Sequence, residues 1–369
     1  MVSISEAWDN PRMMREWEGL DHGGRLVAAM ARFPEAPLPW LDLSTGINPV
    51  PYPIPALEPA LFARLPEPEA LAALNQAAAL AYGLGDPAAV VAAPGTQALI
   101  GLLPHLFPPS RIAVLGPTYA EHARAWHAAG HAVHEIASLA ARRNAEILVL
   151  CNPNNPDGRL IDPAELRALA GRGVWLVVDE AFADFAAPAV SLAPEMPAER
   201  IVVLRSFGKA FGLAGLRLGF ALAPPALAAR LRAVLGPWPV SGPALAIGRT
   251  ALGDRAWRDA ARLRLTADGA QLDSLLAAGG LRLRGGTALF RLAESADSGV
   301  VFERLGEAGI LVRRFAGHPR WLRFGLPATQ EAFARLRQAL GTFARLRQAL
   351  GTAENHGTRG ETGLCEKER

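Results

Sequence analysis

Residues 206–220 read SFGKAFGLAGLRLGF. One amine, Lys209, sits among glycine, alanine and phenylalanine, and one guanidinium, Arg217, follows eight residues later. Apolar surroundings disfavour an ammonium ion, and a neutral amine is a nucleophile. The Ser206 hydroxyl and the donor fork of Arg217 suit a phosphate. Three earlier stretches carry matching chemistry. In APGTQAL (93–99), the backbone N–H groups of a Gly95-Thr96-Gln97 turn and the Thr96 hydroxyl can hold a phosphate where a helix opens. In CNPNNPDG (151–158), Asn155 precedes Pro156, which holds its backbone extended, so its amide can reach a ligand oxygen. Asparagines between prolines also simply form turns. In VVDEAFADF (177–185), Asp179 closes an apolar run. A carboxylate there needs a partner. That partner is an N-cap, an ion pair, or a bound cation such as a protonated pyridine nitrogen. Taken in order, the set can bind pyridoxal phosphate: Lys209 as covalent anchor, Asp179 beside the ring nitrogen, Ser206 and Arg217 on the phosphate.

The elements that must position these groups show in the apolar pattern. Runs at 88–92, 111–116, 146–151, 174–179, 200–206 and 217–223 are short and mostly continuous, as in strands covered on both faces. Amphipathic segments lie between most of them. One, DPAELRALAGRG (162–173), has Asp162 as N-cap and Pro163 at the first helical position. Such alternation predicts an α/β fold with a large, mainly parallel sheet. After residue 224 the chain turns helical and closes with shorter strands at 281–286, 288–293, 309–315 and 321–327, which predicts a smaller α+β domain. The expected division is 56–245 for the large cofactor-binding domain, 1–55 with 246–352 for the small one, and a disordered polar tail at 353–369. The Pro-rich segment 47–59 is expected to cross between domains. FARLRQALGT occurs twice, at 333–342 and 343–352, and reads as a tandem duplication that lengthens a C-terminal helix.

Composition bounds the function. Half of the 369 residues are hydrophobic and 20% are charged, with a net charge of +3. The arginines are scattered, so neither a nucleic-acid nor a membrane partner is expected. Cys151 and Cys365 lie far apart, so neither a disulfide framework nor a zinc site is expected, and no metal is assigned. The N-terminus lacks an apolar core, and no run reaches the length of a membrane helix. The expectation is a cytoplasmic enzyme.

Over residues 20–340 these motifs together resemble the fold-type I pyridoxal-phosphate enzymes, in the branch of histidinol-phosphate aminotransferase. The resemblance implies that Lys209 is the Schiff-base lysine and Asp179 the pyridinium partner. It implies that Asn155 bonds the phenolic oxygen, that Tyr119 stacks on the ring, and that Gly95, Thr96, Ser206 and Arg217 hold the phosphate. Within that branch, DHGGRL (21–26), LDLSTGINPVPYP (41–53), DEAFADF (179–185) and GPWPVSGPAL (236–245) look like the threonine-phosphate decarboxylase family of cobalamin biosynthesis. Ile47 stands where aminotransferases show a glutamate. Phe182 stands where many of them have a tyrosine that touches the cofactor oxygen.

Carried over by resemblance, the substrate contacts are His22, Gly23, Asn48, Asn155, Arg313 and Arg323. A phosphorylated amino acid has two anionic ends, and arginine forks suit both. The implied reaction is decarboxylation of O-phospho-L-threonine to (R)-1-amino-2-propanol O-phosphate by a homodimer. The alternative is a class I/II aminotransferase such as histidinol-phosphate aminotransferase, which needs a keto acid. A cofactor-free scaffold is a further alternative, and the intact Asp179 and Lys209 argue against it. One departure stands out. Relatives carry Arg-Tyr-Pro where this chain has RLPEP (64–68), and Leu65 lacks the hydroxyl that would reach the neighbouring subunit's cofactor phosphate.

Overall fold

The computed structural model describes residues 22–187 and 190–341. The expectations for residues 1–21, for the second copy of the duplication and for the tail with Cys365 lie outside these residues. After helix α1 (Leu26–Arg32) and the two-residue strand β1 (Leu41–Asp42), the chain builds a seven-stranded sheet. Its strands are β2 (Val90–Ala93), β3 (Arg111–Leu115), β4 (Ala132–Ile136), β5 (Ile147–Cys151), β6 (Trp175–Asp179), β7 (Ile201–Ser206) and β8 (Gly219–Leu222). Their order is β2-β8-β7-β6-β5-β3-β4, and only β8 runs against the others.

Continuous apolar runs form the centre of this sheet because both faces are covered. Along β6, Val177 packs into one layer and Val178 into the other. The Val177 layer receives α3 (Thr96–Leu102) through Leu99 and α4 (Glu121–Ala128) through Trp126. The opposite layer receives α2 (Pro68–Tyr82) through Leu74 and α5 (Pro163–Gly171) through Leu166. Each such side chain, fully buried, contributes about 1.5–3 kcal/mol. Helix α5 starts as its sequence predicts: Asp162 Oδ1 accepts the Ala164 N–H at 2.8 Å.

Two features depart from the sequence reading. Strand β4 was not anticipated. It is an edge strand paired only with β3, and its middle residues His134 and Glu135 break any apolar run. The segment 309–315, expected as one strand, is two. Strand β11 (Ile310–Leu311) runs parallel to β1, and β12 (Arg313–Arg314) joins β13 (Trp321–Gly325), with buried Val312 between them. Strands β9 (Arg282–Thr287), β10 (Phe290–Glu294), β12 and β13 form a four-stranded antiparallel sheet in the order β12-β13-β10-β9. The helix Arg255–Ala278 packs against β9 and β10.

The Pro-rich segment ties the molecule together at the lysine. The Asn48 N–H donates to the Lys209 carbonyl at 2.9 Å, and the Tyr52 N–H to that of Phe211 at 2.8 Å. Phe182, after β6, meets Phe290 of β10 edge-on at 5.0 Å.

Candidate active site

Side-chain parity brings the chemistry to one place. Val149 and Cys151 share a face of β5, Val177 and Asp179 share one of β6, and Leu204 and Ser206 share one of β7. Val149, Val177 and Leu204 all pack into the same layer. Cys151, Asp179 and Ser206 therefore stand on that side at the carboxyl ends of three parallel strands, the side on which open α/β sheets bind ligands. A cavity of about 590 Å³ opens there.

Asp179 is 4% exposed, and its environment holds it ionised. Burial by itself would raise its pKa. The opposing effects win: Oδ2 lies 3.0 Å from His122 Nε2, Oδ1 accepts the Ala181 N–H at 3.0 Å, and Lys209 adds positive charge. The net shift of Asp179 is downward, and that of His122 is upward. The two form a buried ion pair. The sequence reading missed His122. The signal was there, because His122 and Trp126 lie four residues apart on the buried face of α4. Cys151 lies beside the same histidine. The donor atoms of His122, Cys151 and Asp179 all lie within 4.8 Å of one another.

Lys209 lies on a single helical turn (Phe207–Ala210) after β7, half-buried in the cavity wall. Burial lowers its pKa, and the charges of Arg323 and Arg217 push the same way against Asp179 and Cys151. Its Nζ is 5.1 Å from the Phe182 ring centre. The amine thus faces an apolar ring where a tyrosine would have offered a hydroxyl.

An anion cradle closes one end. Gly95 adopts φ +87°, and a Cβ there would lie 2.8 Å from Arg217 Nη2. A Cβ on Gly219 would lie 2.6 Å from the Thr96 nitrogen. Glycine at both positions lets the Arg217 guanidinium and the Thr96 N–H converge, with Ser206 buried beside them. Tyr119 forms a side wall. Its hydroxyl donates to Gln97 Oε1 at 3.0 Å, and burial, then Glu121 and Asp179, push its pKa up to about 12.

The other end is cationic. Arg313 and Arg323 are direct partners in the β12–β13 register. Arg323 is buried, donates from Nη1 to Asn155 Oδ1 at 2.6 Å and from Nη2 to the Ser44 carbonyl at 2.8 Å. Its Nε has no hydrogen-bond partner among the described residues. Burial, then the charge of Arg313, brings its pKa down to about 9. His22 and Gly23 line the cavity mouth, with His22 Nε2 3.3 Å from Glu121 Oε1.

Asn48 is the exception among the expected substrate contacts. It lies outside the cavity lining, with its amide already engaged. Nδ2 donates to the Ala210 carbonyl, while Oδ1 accepts the Val50 N–H and Arg264 Nη2. It holds the crossing segment against the lysine turn, with one of its two Nδ2 hydrogens used in doing so.

The sequence pattern of the family Aminotransferase class I and II matches residues 40–340, and the chain belongs to that family. Its relatives narrow the placement. It is 44% identical to the threonine-phosphate decarboxylase of Pseudomonas aeruginosa over 328 residues, covering 87% of this chain and 97% of that protein. It is also 44% identical to the threonine-phosphate decarboxylase of a Sinorhizobium species over 327 residues, covering 86% of this chain and 97% of that protein. Within the family the chain stands with the threonine-phosphate decarboxylases. The fold agrees with the crystal structure of histidinol-phosphate aminotransferase from Sinorhizobium meliloti in complex with pyridoxal-5'-phosphate. That match has a TM-score of 0.73 at 22% identity and covers 91% of this chain and 98% of that one.

Proposed function

We propose that this chain decarboxylates O-phospho-L-threonine, releasing carbon dioxide and leaving (R)-1-amino-2-propanol O-phosphate for cobalamin biosynthesis. The observation that carries this reading is the register pair Arg313–Arg323. It sets two guanidiniums in the cavity that the Lys209 amine and the ionised Asp179 also line, and a substrate with two anionic ends matches it.

The cofactor is pyridoxal phosphate, and the donor set fits it: a half-buried amine, an ionised carboxylate at strand depth, and a glycine-walled anion cradle. Lys209 would hold its aldehyde carbon, Asp179 its ring nitrogen, Asn155 its phenolic oxygen, and Gly95, Thr96, Ser206 and Arg217 its phosphate, with Tyr119 against the ring. When bound, it supplies the electron sink for the pair left behind as the Cα–carboxylate bond breaks. The rest is done by the chain. The His122 ion pair keeps Asp179 charged at depth. Arg313 and Arg323, with His22 and Gly23 at the mouth, would grip the substrate's anions and so fix how Cα is oriented in the cavity. Binding energy from the remote phosphate is thereby used for orientation. Lys209 Nζ, whose ammonium form is disfavoured by burial, returns a proton to Cα after carbon dioxide has left. Phe182 leaves the phenolic oxygen to Asn155.

Two further parts belong to this reading. Residues 56–245 form the cofactor-binding domain, and strands β9–β13 belong to a smaller domain that brings the arginines. The enzyme is a cytoplasmic homodimer, and the exposed apolar side chains Phe62, Leu65 and Trp238 support a second copy as their cover.

The test is to incubate cofactor-loaded protein with O-phospho-L-threonine, without keto acid, and to count carbon dioxide over many turnovers. Sustained release is expected, falling by at least about 10⁴-fold in Lys209→Ala. No release, with conversion only once 2-oxoglutarate and histidinol phosphate are supplied, would overturn the reading in favour of an aminotransferase.

A further inference from the structure

Behind the wall formed by His22, Arg313 and Arg314 lies a second cavity, of about 390 Å³. Its size is that of a small-ligand site. Two aromatic rings line it: Phe33, just after α1, and Phe302, on the helix Ser298–Glu307, with centres 6.3 Å apart and planes at 59°. Each ring carries a guanidinium. Arg32 lies 5.5 Å from the Phe33 centre and Arg314 lies 4.9 Å from that of Phe302. The charge of Arg32 is matched by Glu303, at 2.6 Å. Arg25 and Arg314 also line the chamber, and among the described residues neither has a carboxylate partner. The chamber therefore combines surplus positive charge with aromatic walls. A bare inorganic anion would use the first feature and leave the second idle.

We propose that this chamber, which adjoins the cofactor cavity, is a second ligand site for an organic phosphate monoester carrying a flat apolar group. The phosphate sits between Arg25 and Arg314, where guanidinium forks match its oxygens. The organic group packs on Phe33 and Phe302. Arg313 and Arg314 line both cavities and add positive field to each, whereas Arg25, Arg32, Phe33 and Phe302 line the chamber and not the cofactor cavity.

The probe is phenyl phosphate, titrated calorimetrically into cofactor-loaded enzyme carrying Arg323→Met, which weakens anion binding in the main cavity. One equivalent is expected to bind. Affinity should fall about tenfold or more in Arg25→Ala and in Arg314→Ala, by less in Arg25→Lys, and severalfold in Phe302→Leu. Inorganic phosphate should bind more weakly than phenyl phosphate and be indifferent to Phe302→Leu. Loss of binding in Arg323→Met alone, with Arg25→Ala and Arg314→Ala unaffected in the otherwise native enzyme, would overturn the proposal. So would equal affinity for phenyl and inorganic phosphate. The readout involves no turnover, so it fails or holds separately from the decarboxylase reading.

Discussion

Two arginines are buried in this protein to nearly the same degree, and they live under opposite electrostatics. Arg205, 5% exposed, reaches Glu180 at 2.9 Å with one guanidinium nitrogen and Asp184 at 3.1 Å with another, and lies over the Tyr82 ring. Burial alone would lower its pKa, but the two carboxylates more than reverse this. Arg323, 7% exposed, bonds only neutral oxygens among the described residues and faces a second arginine, and its pKa falls to about 9. A buried cation is costly unless its charge is matched. At Arg205 the fold supplies the match. At Arg323 no carboxylate among the described residues does. The adjacent carboxylates Glu180 and Asp179 differ in the same way. Glu180 is surrounded by Arg205, the Ser191 hydroxyl and the Leu192 N–H. Asp179 keeps a side toward the cavity. The contrast separates buried charges spent within the structure from those that face the cavity.

The strongest way to break this comparison is Arg205→Met. It strands two buried carboxylates and should lower unfolding free energy by about 3–5 kcal/mol in denaturant titrations, with the KM of the folded fraction little changed. Undiminished stability would remove the distinction. Arg323→Met should do the reverse. Loss of about 2–5 kcal/mol of anion binding would lower kcat/KM by roughly 30- to 5000-fold, with no loss of unfolding free energy. A pH series sharpens the point. Anion binding needs the cationic arginine, whose pKa burial and Arg313 bring down to about 9, so the native enzyme should show a rise in KM above that pH beyond the substrate's own titration, and Arg323→Met should lack it. A KM independent of pH through that range would mean that Arg323 does not contact substrate. The smallest effect is expected from His122→Gln. Without the imidazolium, Asp179 loses its main support and its pKa rises, so the dissociation constant for pyridoxal phosphate should increase about tenfold in absorbance titrations. Unchanged affinity would place the His122–Asp179 pair with the structural charges.

Much of the site could be read along the chain because strand-end residues are local features. An apolar run, its last polar residue and the turn beyond it are adjacent in sequence. Asp179, Asn155, Gly95-Thr96 and Ser206–Lys209 were singled out in this way, and the structure sets all of them around one cavity. Arg313 and Arg323 came from the family resemblance instead, and the structure makes them register partners. What escaped depended on distant partners. His122 meets Asp179 across 57 positions, and Asn48 meets Arg264 across 216. No local pattern tells an asparagine aimed at a ligand from one spent on a remote arginine. Strand β4 escaped for a related reason: an edge strand buries little, so its sequence need not be apolar.

The sequence by itself determined the α/β alternation, the strand ends and the residue types placed there, because side-chain periodicity and chain punctuation act over a few residues. Only the tertiary structure decided which charges are matched. Burial and pairing are properties of three-dimensional neighbourhoods, and Arg205 and Arg323 are the same residue until the fold gives one of them two carboxylates and the other a second arginine.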